Sequence, residues 1–203
     1  EYEVMWSDLS NEWEICFKLA WQSFTKGCTP VGAIIKDSEN NILTQNGNGT
    51  GNIFHPKISH AEMNALSNIT EVEDIDGLSI YTSLEPCVMC FSAIYVQKIR
   101  KLFYATKDPH AGGTFLYKIS PYFSLRKMDI IQLKNDEYSF VNAVLLILHE
   151  LRCRKAEELD IYLSDWEVNP MYVETAKDIF INYGIEKLAD SVDAEEVYDF
   201  IAS

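Results

Sequence analysis

Positive charge is scarce in this chain. Its 203 residues hold 17 Lys and Arg against 31 Asp and Glu, a formal net charge of −14. Nucleic acids are held by Lys and Arg that displace counterions, so this balance disfavours a polyanion as the main partner. Long apolar runs are also missing. The longest, Val141 to Leu148, is interrupted by Asn142 and falls far short of the roughly 20 residues that a membrane-spanning helix needs. No secretory signal pattern is visible, and no membrane partner is expected. Cysteines are few and odd in number, five in all. Two of them have the look of thiolate ligands, which suits a reducing compartment and leads to the expectation of a cytoplasmic protein. Internal repeats and low-complexity segments are absent.

What is present is enough apolar material for a core, 47% of residues. The length suits one domain, or one domain with an extension. The charge is uneven. Residues 149–203 carry 14 acidic and 5 basic groups, and residues 1–148 carry 17 and 12. The expected division is therefore a main domain over 1–148 and an acidic helical extension over 149–203 packed on it. One stretch runs against the overall sign. Between Lys98 and Lys134 eight basic residues meet only Asp108 and Asp129, a pattern that fits a solvated face or a phosphate-facing patch.

Periodicity gives the elements. Trp13, Phe17, Ala20, Trp21 and Phe24 recur at helical spacing over residues 10–26. Val31–Ile35 and Ile42–Thr44 read as paired strands across the turn at 37–41. Asn46 to Asn52 is a loop rich in Gly and Asn. A helix is expected over about 59–68, a strand over 78–82, a helix over 87–97, and strands over 101–105 and 128–133. Residues 106–125 read as irregular. Their Phe115, Tyr117, Tyr122 and Phe123 suit either a lid over a flat substrate or a surface connection. From Tyr138 to about Leu163 the pattern is one long helix, buried in its first half and solvated in its second. Two short helices follow, near 171–183 and 193–202, with Asp193 as a cap for the last. No residue set in this tail suggests chemistry, and packing or dimer support is its expected role. The order predicts a three-layer α/β/α sandwich with a mixed five-stranded sheet.

Two short stretches carry the chemistry, His60-Ala61-Glu62 and Pro86-Cys87-Val88-Met89-Cys90. Cys87 and Cys90 at the start of a helix put both sulfurs on one face, where the helix N-terminus favours thiolate. Pro86 suits that entry, having no N–H to leave unpaired. His60 comes from another element. It and Glu62 can both face the same ion only if the stretch is a helix entrance, for which Ser59 offers an N-cap. One His and two Cys leave a fourth position of a tetrahedral zinc site to water or hydroxide, as in catalytic rather than structural sites. Cys-x-x-Cys by itself also fits buried thiols, a redox pair or half of a structural zinc knot. For the last, Cys16, Cys28, Cys153, His55, His110 and His149 are the spare ligands, and none has a paired spacing. Zinc lowers the pKa of bound water toward about 7. Glu62 is the one group within the motif able to move the proton, and attack on C–NH2 would give C=O and ammonia.

The pattern His-x-Glu with Pro-Cys-x-x-Cys resembles the cytidine deaminase-like superfamily. Within it the chain is most similar to the branch of bacterial tRNA adenosine deaminases, guanine deaminases and nucleoside deaminases. The residues carrying this are Pro30-Val31-Gly32-Ala33, Ser59 to Leu66, Leu84 to Cys90, and Tyr104 to Asp108, over about residues 5–135. The resemblance implies one Zn2+ per chain on His60, Cys87 and Cys90, with Glu62 as the catalytic proton shuttle. It implies a base-contacting Asn at Asn48, with Asn46 or Asn52 as alternatives. It further implies substrate contacts from the backbone at Ala61 and Pro86 and from Asp108, and a homodimer. The tail after residue 149 is long and acidic where tRNA-acting members end in a basic helix. The expected function is thus deamination of a small nucleobase, nucleoside or related heterocycle. The alternatives are a tRNA adenosine deaminase and a non-catalytic zinc-binding interaction module, and the intact Glu62 argues against the last.

Overall fold

The computed structural model describes residues 5–51, 55–69, 77–166, 169–184, 187–189 and 192–203. A five-stranded sheet organises them, in the order β2-β1-β3-β4-β5. Its strands are β1 (Gly32–Lys36), β2 (Ile42–Gly47), β3 (Ser79–Leu84), β4 (Lys101–Thr106) and β5 (Asp129–Gln132). β1 is antiparallel to both β2 and β3, whereas β3, β4 and β5 run parallel. Parallel neighbours require a crossover, and α3 (Val88–Val96) supplies the one between β3 and β4. All five residues of β1 are buried, which explains why its run is apolar rather than alternating.

The two faces are covered by different helices. Helix α1 (Asn11–Thr25) lies against one face, and so closely that a Cβ on Gly32 would sit 2.1 Å from the Cys16 carbonyl. Helix α2 (Ala61–Ser67) lies on the other, where Thr44 donates its hydroxyl to the Ala65 carbonyl at 2.9 Å. α2 and α3 are neighbours. Helix α6 (Asp136–Cys153) joins α1, with the Tyr138 hydroxyl donating to the Trp13 carbonyl at 3.3 Å. The result is the three-layer sandwich expected. No helix among the described residues is long and apolar enough to cross a membrane.

The structure departs from the sequence reading in two places. Two short helices, α4 (Leu116–Ile119) and α5 (Pro121–Ser124), form inside the stretch read as irregular. The single helix expected over 138–163 is two. α6 stops at Cys153, Arg154 takes an extended backbone (φ −91, ψ 151), and α7 (Ala156–Asp165) begins anew. No Gly or Pro marks this break; the Arg154 guanidinium is instead held by Glu150 and the Tyr162 ring. The boundary expected at 148/149 falls inside α6, so the tail grows out of a core helix. Helix α8 (Pro170–Asn182) starts with its proline in the first turn. Helix α9 (Ala194–Ala202) is capped as expected by Asp193, which accepts from Glu196 N at 3.0 Å while its own N–H donates to the Glu196 carboxylate.

An aromatic cluster ties this last helix to the core. Phe17 is fully buried and meets Trp6, Tyr138 and Tyr198 edge-on at centroid distances of 5.9, 6.0 and 5.1 Å. Truncating such a ring costs both transfer energy and a cavity. Phe17→Ala should therefore lower stability by about 3–5 kcal/mol, measured as a reduced denaturation midpoint in urea with little change in slope.

Candidate active site

Two helix starts converge to make the site. His60 is the N-cap of α2, with extended backbone at φ −74 and ψ 154, and Glu62 is in the first turn. His60 therefore lies outside the helical repeat, which lets two residues at i and i+2 share one side. Ser59, expected as the cap, has another task. Its hydroxyl takes a hydrogen bond from the Asn64 amide at 3.2 Å. The first free N–H of the helix, on Ala61, donates instead to Asn48 Oδ1 at 2.6 Å. Cys87 is likewise the N-cap of α3, so Pro86 precedes the cap and Cys90 sits one turn inside.

These positions bring the donors together. His60 Nδ1 lies 3.6 Å from Cys87 Sγ and 3.4 Å from Cys90 Sγ. All three ligand atoms fall within 4.8 Å of one another, the one such group among the described residues. A tetrahedral zinc with Zn–S of about 2.3 Å and Zn–N of about 2.0–2.1 Å has N···S edges of roughly 3.5 Å. The trio thus fits the ion without rearrangement and supplies three ligands, not four. The spare ligands Cys16, Cys28, Cys153, His55, His110 and His149 do not join the group.

The electrostatics agree with a metal-ready site. The two thiols share a proton unequally. A hydrogen bond from Cys90 holds Cys87 down to about 4, and the same interaction raises Cys90 well above the ordinary thiol value. His60 is raised, first by its hydrogen bond to Cys87. Burial pushes Glu62 up to about 7, against the pull of the backbone N–H at the helix start. A carboxyl tuned near neutrality suits proton transfer in both directions.

A cavity of about 220 Å3 opens beside the trio, lined by His60, Glu62, Cys87, Asn48 and Asp108 among others. Of the expected substrate contacts, Asn48 and Asp108 reach it and Ala61 and Pro86 do not line it. The Ala61 N–H is taken by Asn48, and the Pro86 carbonyl accepts from Gly113 N at 2.8 Å. Asp108 Oδ1 accepts from the N–H groups of His110 and Ala111 at 2.9 and 3.0 Å, which shapes its loop, and burial raises its pKa. Asn46 is buried on β2 and does not line the cavity; Asn52 lies outside the described residues. The aromatic lid is not formed. Tyr122 and Phe123 pack with Tyr95 at 5.6 and 5.0 Å, and none of the four aromatics of 115–123 lines the cavity. The basic stretch is partly committed elsewhere, with Lys107 bound to Glu85, Lys127 3.9 Å from Asp129, and Arg100 over the Tyr95 ring.

With this geometry in view, the comparisons with known proteins are direct. The family described as the cytidine and deoxycytidylate deaminase zinc-binding region matches residues 7–106. A tRNA-specific adenosine deaminase from Aquifex aeolicus is 32% identical over 103 residues, 49% of this chain and 67% of that protein. The chain belongs to the cytidine and deoxycytidylate deaminase family. A guanine deaminase from Bacillus subtilis is 34% identical over 95 residues, 43% of this chain and 55% of its own. A solved structure from a study of tRNA:A34 deaminases superposes with a TM-score of 0.53 at 25% identity, over 60% of this chain and 96% of that one.

Two features of this deaminase-family site were not read from the sequence. Glu85 is one. Its carboxylate is buried and takes hydrogen bonds from Lys107 Nζ at 2.8 Å, Thr114 N at 3.1 Å and the Thr114 hydroxyl. An acidic residue at the end of an apolar strand, next to Pro86, was the available signal. The other is the tail: Glu150, Arg154 and Tyr162 line the cavity, beside Leu146 of the main domain. The tail, expected to pack or to support a dimer, thus also lines the cavity. Metal loading tests the trio. Because the Cys90 proton must leave, zinc addition to metal-free protein should release protons, and affinity should fall as pH is lowered. Chelator competition at two pH values measures this, and Cys87→Ala should abolish stoichiometric binding.

Proposed function

We propose that the protein is a zinc-dependent hydrolytic deaminase that converts the amino group of a small nucleobase, nucleoside or related heterocycle to a carbonyl, releasing ammonia. The observation that carries this is the juxtaposition of Glu62, buried and near neutral pKa, with an open three-ligand trio on one cavity. His60, Cys87 and Cys90 would hold zinc, which when bound would supply an activated water as the nucleophile. Glu62 accepts the proton at its carboxylate and returns it to the exocyclic nitrogen, which leaves as ammonia. Asn48 is held by its bond to Ala61 N, which leaves its NH2 group to donate to a ring acceptor. The cavity is below the roughly 300–1,000 Å3 of drug-sized pockets, which suits one compact ring system.

A second reading has a specific support. Relatives that match the same stretch are tRNA-specific adenosine deaminases, and inosine formed in an anticodon stem-loop would establish it. The net charge of −14 and the Glu62, Asp108 and Glu150 carboxyl groups around the cavity favour an uncharged small molecule instead.

Glu62→Gln separates metal binding from turnover. It should keep stoichiometric zinc and lose about 10²–10⁴-fold in rate, read as ammonia release across a panel of aminated bases and nucleosides. Silence of the wild type on that whole panel would sink the reading. A homodimer, which the resemblance implies, has a candidate surface in Val88 and Val96 of α3 with Phe115 and Ile119, exposed by 48, 57, 47 and 67%. Sedimentation equilibrium should show a dimer that Val96→Glu weakens.

A further inference from the structure

The family match ends at residue 106, yet the cavity continues beyond it. Leu146 and Glu150 come from α6, Arg154 from the break, and Tyr162 from α7. They stand in the same cavity as His60 and Glu62. We propose that Glu150, Arg154 and Tyr162 form a substrate-selecting wall, which admits a free heterocyclic base and turns away the same base bearing ribose or phosphate. This rests on the reading of the site as a deaminase centre and narrows its substrate class.

The wall is built and held in place. Glu150 and Tyr162 are 8% and 7% exposed. The Arg154 Nε donates to the Glu150 carboxylate, and its guanidinium carbon lies 5.0 Å from the centre of the Tyr162 ring. That ring also meets the cavity loop. His110 packs edge-on to Tyr162 at 5.4 Å, and its Nδ1 pairs with Asp165 at the end of α7. His110 is two residues from Asp108, so α7 is fastened to the loop that carries an expected substrate contact. A ring held by a cation on one contact and a histidine on another is positioned to resist displacement by a bulky substituent.

Size and charge then set the selection. At about 220 Å3 the cavity is smaller than the roughly 300–1,000 Å3 of drug-sized pockets. One heterocycle with its substituents suits that space, and an attached ribose would have to stand against the side chains of the wall. The single arginine of the wall is already paired with Glu150, and Lys107 is paired with Glu85. A phosphate entering the cavity would meet the carboxyl groups of Glu62 and Asp108, and among the described residues its lining has no lysine and no arginine but the paired Arg154.

The test uses the full chain loaded with Co(II) in place of zinc, whose visible d–d bands report a ligand reaching the metal. The probes are benzimidazole, its riboside and the riboside 5′-phosphate, which share the same donor nitrogen and differ in bulk and charge. Wild type should bind benzimidazole at least tenfold more tightly than the riboside and more tightly still than the phosphate. Arg154→Ala and Tyr162→Ala should bring base and riboside to within about twofold of each other. Far-UV circular dichroism checks both folds. The Arg154 side chain is 32% exposed, so its variant carries the test should Tyr162→Ala not fold. A preference unchanged in the variants, or absent from the wild type, overturns the wall. Ammonia release is followed in parallel. If no base is deaminated but the probe preference holds and collapses as described, the deaminase reading fails and the wall stands. If bases are deaminated with no probe preference, the wall alone fails.

Discussion

A carboxylate with no solvent contact has to be compensated by the groups around it, and the buried carboxylate of Glu85 sets much of the geometry here. Its partners all come from the 107–114 segment: Lys107, Thr114 and the Asp108 N–H at 3.3 Å. Satisfying that charge pulls the segment across the start of α3. There Gly112 bridges to Cys87, and Gly113 approaches so closely that a Cβ would sit 2.7 Å from Val88 N. The same segment places Asp108 on the cavity and His110 against the tail. One buried charge thus fixes the end of β3, the first thiolate and the far wall of the site.

The two thiol groups and the carboxyl beside them depend on two helix N-termini meeting. Each start has exposed N–H groups that stabilise negative charge. α2 uses His60 as its cap and spends its first N–H on Asn48; α3 uses Cys87. Putting ligands at cap positions frees them from the helical repeat, so three side chains from two helices can meet within 4.8 Å. The same caps hold Glu62 in a buried first turn, where lost hydration raises its pKa toward neutrality.

The tail has a structural origin as well as a place at the cavity. Tyr138 of α6 and Tyr198 of α9 share the aromatic cluster with Trp6 and Phe17. The segment after α6 leaves directly from a core helix and returns to the core through α9. α7 is held between these anchors, which is how a weakly periodic stretch comes to stand in a defined position over the site.

The sheet, the helices that cover it and the zinc trio were legible in the sequence because each rests on short-range pattern: a 3.6-residue period, a two-sided apolar strand, a Cys-x-x-Cys at a helix start. The same locality made Asp193 readable as a cap. What the residues alone left open is what depends on contacts far apart in sequence. The break after Cys153 has no Gly or Pro to announce it and exists because Arg154 finds Glu150 and Tyr162. The aromatics of 115–123 look like a lid by composition, but a buried Tyr95 draws Tyr122 and Phe123 away from the cavity. That Asn48 rather than Asn46 reaches Ala61 N and the cavity also depends on such distant contacts. The sequence by itself determined the family, the layer order and the metal-ligand chemistry, since motif and periodicity encode them locally. Only the tertiary structure decided which residues close the cavity, because that wall is assembled from side chains about a hundred positions away from His60.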